Sequence, residues 1–222
     1  ELPNARAVGD YQKGRPSRRF ELRADAGVVV GTDVGPDHIL TAVADLREVM
    51  AERGVTAISV RAMENLAAAE AAAIVTLTVP FSHQAATLER VKPALQGKIL
   101  IDVTVPLVPP KVARVQLPAQ GSAGQIAQEL LGDGVDVVSA FQNVAAVHLQ
   151  EGHGLTCDVL VTGNKKAARD EVVKLVEVAG MRGLHAGMIN NAAAAEALTS
   201  VLITINKQYG CHAGIKITGL DD

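Results

Sequence analysis

The chain has 222 residues, enough for one domain of ordinary size and a smaller second one around a large buried core. Hydrophobic residues make up 48% of it and aromatic residues only 2%, with no Trp, so the core must be built from Ala, Val, Leu and Ile, the habit of helix-covered parallel sheets. A net charge of -3 gives no electrostatic footprint for nucleic acid, and Cys157 and Cys211 lie far apart with no CxxC or His-spaced partner, which excludes a disulfide framework and a zinc site.

The first fourteen residues lack the apolar stretch of a signal peptide. The longest apolar-rich run, residues 189–205, is interrupted by Asn190, Asn191 and Glu196. A soluble, cytoplasmic protein that meets neither membrane nor nucleic acid is expected.

Residues 27–31 (GVVVG) read as a strand covered on both faces. After Pro36, the spacing of Ile39, Ala42, Val43, Leu46, Val49 and Met50 predicts an amphipathic helix that closes at Gly54. Residues 56–60 read as a strand, 64–71 as a short Ala-rich helix, and 73–79 (AIVTLTV) as a buried strand stopped by Pro80. Helix 84–91, strand 98–103 (KILIDV), helix 125–131 and strand 135–141 (VDVVSAF) continue the alternation, with a proline-rich loop between Pro106 and Pro118. Strands joined by helical crossovers imply a parallel sheet with helices on both faces. After a last strand at 158–162 the pattern changes to two long helices, one lined by Val172, Leu175, Val176 and Ala179, the other by Ala194, Leu198, Val201, Leu202 and Ile205. A domain boundary is expected near Gly163, between a nucleotide-binding domain over 1–163 and a mainly helical domain over 164–222. The apolar, Ala-rich last helix serves either as core or as a homodimer contact.

The first βα turn of a nucleotide-binding sheet uses glycines, because backbone N–H groups must approach a pyrophosphate without a Cβ in the way. Gly9 and Gly14 offer two such glycines, and the other reading of that segment is an ordinary turn. Asp33 follows Gly14 by 19 residues, where a carboxylate accepts from a ribose diol, or alternatively it stands at a helix start ahead of Pro36. Thr32 beside it bonds a ribose hydroxyl or caps the turn.

Open α/β sheets bind ligands at the carboxyl ends of their strands. Thr78, Val79, Pro80, Phe81 and His83 occupy one such end, and His83 is either a ligand contact or an ordinary surface residue at a helix start. Thr104, Pro106 and Leu107 occupy the next end, and Phe141 and Asn143 the one after. Together they suggest a shared crevice. No histidine shares a helix face with Asp, Glu or Cys at ligand spacing, so no metal is expected. No G-x-S-x-G elbow or paired carboxylate stands at a strand end, so hydrolysis has no visible nucleophile.

At these residues the chain resembles the F420-dependent NADP oxidoreductases. The segments that carry the resemblance are 61–65 (RAMEN), 77–80 (LTVP), 98–107 (KILIDVTVPL), 157–163 (CDVLVTG) and 212–219 (HAGIKITG), in that order. The resemblance implies a Rossmann-like, doubly wound parallel sheet with a small C-terminal helical domain. It also implies hydride transfer between NADP(H) and the deazaflavin coenzyme F420, which lies in the cleft between the two parts. Chemistry of that kind belongs to the cofactors, and the protein's task is to stack two rings about 3 to 3.5 Å apart. Residues 78–83 would hold the nicotinamide, with residues 104–107 and 141–143 meeting the deazaflavin. The chain departs from the family pattern at its glycine-rich turn, G-G-T-G-x-x-G, which falls on Gly9 to Gly14. A second departure is at the Ser-Arg pair for the 2'-phosphate, which falls on Thr32 and Asp33. A carboxylate there favours a free diol, which opens the use of NAD. Two other functions stay open: a non-catalytic nucleotide sensor on the same fold, and a reductase of another small substrate.

Overall fold

The computed structural model describes residues 32–34, 39–43, 61–145 and 156–220. The expected strand at 27–31, the residues Gly9 and Gly14, and the expected strand at 56–60 lie outside the described residues.

A small antiparallel sheet comes first in the chain. It contains β1 (Thr32–Val34), β2 (Ile39–Val43) and β3 (Arg61–Glu64), in that spatial order. The first part of the helix expected to begin after Pro36 is a strand over Ile39–Val43, paired with β1 on one side and β3 on the other, and the rest of that expected helix, 44–54, lies outside the described residues. Ile39, Thr41 and Val43 are β-branched and alternate along it, so the same residues that satisfy an i, i+4 spacing also satisfy a strand's period of two.

The main sheet has five strands in the order β4 (Ile74–Leu77), β5 (Ile99–Asp102), β6 (Asp136–Ser139), β7 (Asp158–Gly163) and β8 (Arg182–His185). The helix α1 (Asn65–Ala71) leads from β3 into β4, the helices α2 (Phe81–Leu95), α3 (Ala123–Leu131) and α4 (Lys166–Val178) run between strands of the main sheet, and α5 (Ala192–Tyr209) follows the last strand. β4, β5 and β6 are parallel neighbours, as are β7 and β8. The expected all-parallel run breaks where β7 lies antiparallel to β6. At that break Phe141 adopts φ +72° and Val144 N donates to Phe141 O, a turn that redirects the chain as it leaves β6.

Strand alternation divides the core in two. Leu77, Leu100 and Val137 face one side, against Leu88, Val91 and Leu95 of α2, Ala127 and Leu131 of α3 and Ala192 of α5. Ile101, Val138, Val159 and Val161 face the other, against Ala168, Val172, Leu175 and Val176 of α4. Both cores are aliphatic, and each large side chain buried in them contributes about 1.5 to 3 kcal/mol. β8 lies beyond Gly163 yet continues the main sheet, with α4 packed against its face, and the strand at Arg182–His185 is not evident from its sequence, RGLH. Its glycine and charged residues hide a strand that is only half-buried at the sheet edge.

Candidate active site

The register aligns Leu77, Asp102 and Ser139 at the carboxyl ends of three parallel neighbours. The segments that leave these ends are the three expected to share a crevice. After β4, Val79 is buried, and Pro80 stands at the N-cap of α2, where its fixed φ suits a chain turning into a helix. Phe81 is half-buried and His83 is exposed in the first turn, with His83 N donating to Pro80 O at 2.8 Å. Thr78 Oγ1 is buried with no hydrogen-bond partner among the described residues. After β5, Thr104 turns back on Asp102, its N–H and hydroxyl both donating to Asp102 Oδ1 at 2.9 and 2.7 Å. Pro106 is buried and Leu107 half-buried beyond it. After β6, Phe141 is half-buried while Gln142 and Asn143 are buried.

α5 is fastened to these strand ends by its side chains and its backbone. Asn143 Nδ2 donates to Ala195 O at 2.9 Å, and Thr199 Oγ1 donates to Gln142 O at 2.9 Å. Ser200 Oγ donates to Arg114 O, which ties the proline-rich loop to the same helix. Gly210, in the left-handed conformation at φ +62°, closes α5 with its N–H donating to Asn206 O.

Two buried carboxyl groups lie at or near these strand ends, and sequence reasoning did not find them. Asp102 ends β5 and accepts from Thr104 and from Gln84 Nε2, the latter at 2.6 Å. Burial pushes its pKa up to about 6 against those bonds. Glu196 projects from α5 onto the start of α3, where it accepts from Ala123 N at 2.6 Å and Gly124 N at 3.0 Å. Burial, with a further push from the Asp102 charge, raises its pKa to about 7, although the helix N–H groups oppose the rise. A signal was present in the sequence: Glu196 is the lone Asp, Glu, Lys or Arg between Arg182 and Lys207, and Asp102 closes an apolar run.

Of the remaining expected site residues, Thr32 and Asp33 belong to β1 in the small sheet, opposite Thr41 and Leu40. Two polar features of these strand ends lack a side-chain partner among the described residues. An orphan hydroxyl at Thr78 needs a polar partner, and the first turn of α2 has no side-chain cap over its N–H groups.

The sequence of the reductase from Methanocaldococcus jannaschii, named F420-dependent NADP reductase, is 33% identical over 181 residues, which span 79% of this chain and 80% of that one. The chain belongs to the F420-dependent NADP oxidoreductase family. A relative of the same name from Methanothermobacter marburgensis is 37% identical over 172 residues, 74% of this chain and 77% of its own. The family model described as NADP oxidoreductase, coenzyme F420-dependent, matches residues 21–106. Among solved structures, a chain from Arthrobacter sp. FB24, provisionally named an F420-dependent NADP-reductase, superposes with a TM-score of 0.60 at 26% identity, covering 68% of this chain and 70% of that one.

The segments that resemble the F420-dependent oxidoreductases have structural reasons to be where they are. Residues 98–107 are β5 and the turn that Asp102 organises, and residues 157–163 are β7 with its lead-in. The closing segment docks on β7: Asp158 N donates to Ile215 O at 2.8 Å, and Ile217 N donates to Asp158 Oδ2 at 2.6 Å.

Proposed function

We propose that this protein transfers a hydride between NADP(H) and the deazaflavin coenzyme F420 at the carboxyl ends of β4, β5 and β6. The observation that carries the reading is the gathering of residues 78–83, 104–107 and 141–143 at the carboxyl ends of three neighbouring strands, with Asn143 fastened to α5, in a chain that belongs to this family. When bound, the nicotinamide and the deazaflavin supply the redox chemistry. The chain's own residues bind, orient and exclude water. Thr78, Val79, Pro80, Phe81 and His83 take the nicotinamide side, with the orphan Thr78 hydroxyl as its polar contact. Pro106, Leu107, Phe141 and Asn143 take the deazaflavin side, and residues 164–222 complete the cleft through α5. Gly9, Gly14, Thr32 and Asp33 serve the nucleotide, and Asp33 admits NAD beside NADP.

Among the described residues no helix is long and apolar enough to cross a membrane. Cys157 and Cys211 are both free thiols, which suits the reducing cytoplasm. Val201, exposed on α5, and Val115 and Leu117, exposed on the proline-rich loop that α5 holds, support a homodimer contact on that side.

Titration with NADP, NAD and the deazaflavin, followed by a turnover assay on the deazaflavin absorbance, tests the function. Reduction of the deazaflavin by the reduced nucleotide is expected. Binding of both without turnover would sink the enzymatic reading in favour of a sensor, and turnover of another acceptor without the deazaflavin would make it a reductase of a different substrate.

A further inference from the structure

Asp102, Gln84, Ala123, Glu196, Ser139 and Gln142 form one connected buried network. Gln84 Nε2 donates to Asp102 Oδ2 at 2.6 Å and to Ala123 O at 2.9 Å, while the N–H of the same Ala123 donates to Glu196. The Ser139 hydroxyl bonds Glu196 and accepts from Gln142 Nε2, which also donates to Asp102 O. The ring therefore joins the ends of β5 and β6, the starts of α2 and α3, and the second turn of α5. Each of the three cleft segments hangs on it: residues 78–83 run directly into Gln84, Thr104 is bonded to Asp102, and Gln142 sits between Phe141 and Asn143.

The network is negative and dry. Facing Glu196 are the N–H groups of α3, the Ser139 hydroxyl of β6 and the Asp102 carboxyl of β5. Facing Asp102 are Thr104 and the Gln84 amide. Among the described residues no Lys, Arg or His makes an ion pair with either carboxyl. Gln84 Oε1 is buried with no hydrogen-bond partner among the described residues.

We propose that Glu196 is a positioning residue for the deazaflavin half of the cleft, and that proton uptake by the buried Asp102 and Glu196 pair sets how firmly α5 is held against the strand ends. The proposal rests on the hydride-transfer reading of this cleft. With a proton in the network, one negative charge is satisfied by the N–H groups of α3 and the donors around Asp102. With both carboxyls ionised, two like charges share one water-poor site, and α5 is the element free to give way.

The sign of the pH effect follows from the direction of both shifts. A carboxyl whose folded pKa is raised binds its proton more tightly in the folded state, so its contribution to stability is complete below the unfolded value and is lost as pH rises through the folded one. For Glu196 that window runs from 4.5 to about 7, and for Asp102 from 3.8 to about 6.

The test combines thermal melts and steady-state kinetics across about pH 5 to 8 at fixed ionic strength, on the wild-type chain, Glu196→Gln and, as a second variant with its own window, Asp102→Asn. The wild-type midpoint should fall by several degrees as pH rises, and the KM for the deazaflavin should rise over the same range. Glu196→Gln keeps one acceptor for the α3 N–H groups and mimics the protonated carboxyl, so it should fold, lose the upper part of the pH dependence, and at about pH 8 keep the KM for the deazaflavin about fivefold below that of the wild type, while that for NADPH differs by less than about twofold. An unchanged pH profile in both variants overturns the proton-holding pair. Equal movement of both KM values overturns the positioning role. Absence of any turnover in the wild type would overturn the hydride-transfer reading and with it the positioning role, while the melts would still decide the pair.

Discussion

Arg182 grips Asp158 through two parallel bonds, Nε to Oδ1 and Nη2 to Oδ2, each 2.8 Å long. The pair links neighbouring strands β7 and β8 in register, and it reaches further because Arg182 Nη2 also donates to Ile217 O. Asp158 is buried while Arg182 is partly exposed, with side-chain exposures of 3% and 30%. Lysine has no fork to reproduce this geometry. Arg182→Lys should therefore cost about 1 to 2 kcal/mol and Arg182→Met more, about 3 kcal/mol, because the second change leaves a buried carboxylate without its cation. Chemical denaturation checks both, and equal stability of all three proteins would show the fork to be idle. The Arg182 bond holds the Asp158 pKa below its ordinary 3.8, so this contribution is present above that value and is lost as pH falls below it. Its acid loss lies below the window of the Glu196 network, so the two are separable in one pH series.

Gly163 is a second point at which the sheet tolerates little. A Cβ there would stand 2.9 Å from the Val137 carbonyl oxygen and 3.2 Å from Val138 Cγ2, in the one antiparallel contact of the main sheet. The nearest atom is backbone and cannot swing aside. Gly163→Ala should destabilise by about 1 to 3 kcal/mol, or roughly 3 to 10 °C in thermal midpoint for a chain of this size. A midpoint within about a degree of wild type would mean that β6 and β7 part more easily than their register implies.

The parallel strands were legible because β4, β5 and β6 are short apolar runs with helical crossovers between them, and length and periodicity agree there. β2 was misread because Ile39 and Val43 suit a helix face and a strand face equally, and only its pairing with β1 and β3 decides. The strand-end segments were legible from Pro80, Pro106 and the polar residues after each apolar run. Glu196 stands out as a lone charge in an apolar stretch, but its role was not legible, since its partners are 72 and 73 residues away and no local pattern announces a side chain that caps another helix from that distance.

Asp33 bears on cofactor choice. Two like unit charges about 4 Å apart repel by about 4 kcal/mol at an effective dielectric of about 20, before screening. Even a quarter of that changes a preference several-fold. The protein should discriminate NADP from NAD weakly, and Asp33→Arg should raise the NADP to NAD ratio of kcat/KM by at least about tenfold, or roughly 1.4 kcal/mol. Strict NADP dependence in the unmodified protein, with no response to the substitution, would place Asp33 away from the ribose.

Asn143 connects the proposed deazaflavin side of the cleft to α5 by a single amide. Its Nδ2 donates to Ala195 O at 2.9 Å and to Thr199 Oγ1 at 3.3 Å, while Thr199 returns a bond to Gln142 O. Asn143→Asp exchanges that donor for an acceptor at nearly the same volume and sets a charge against a carbonyl oxygen at a buried site. Such a buried, unpaired charge costs about 3 kcal/mol or more, whereas Asn143→Ala only removes the donor and costs about 1 to 2 kcal/mol. The kinetic consequence should be as unequal as the geometry. The bonds of this amide go to Ala195 and Thr199 and not to Thr78 to His83, so Asn143→Ala should leave the KM for NADPH within about twofold while raising that for the deazaflavin about tenfold, a loss of roughly 1.4 kcal/mol of binding. Steady-state kinetics with each cofactor varied in turn, on protein whose melt confirms folding, separates the two sides. A larger effect on NADPH than on the deazaflavin would exchange the assignments of the strand ends.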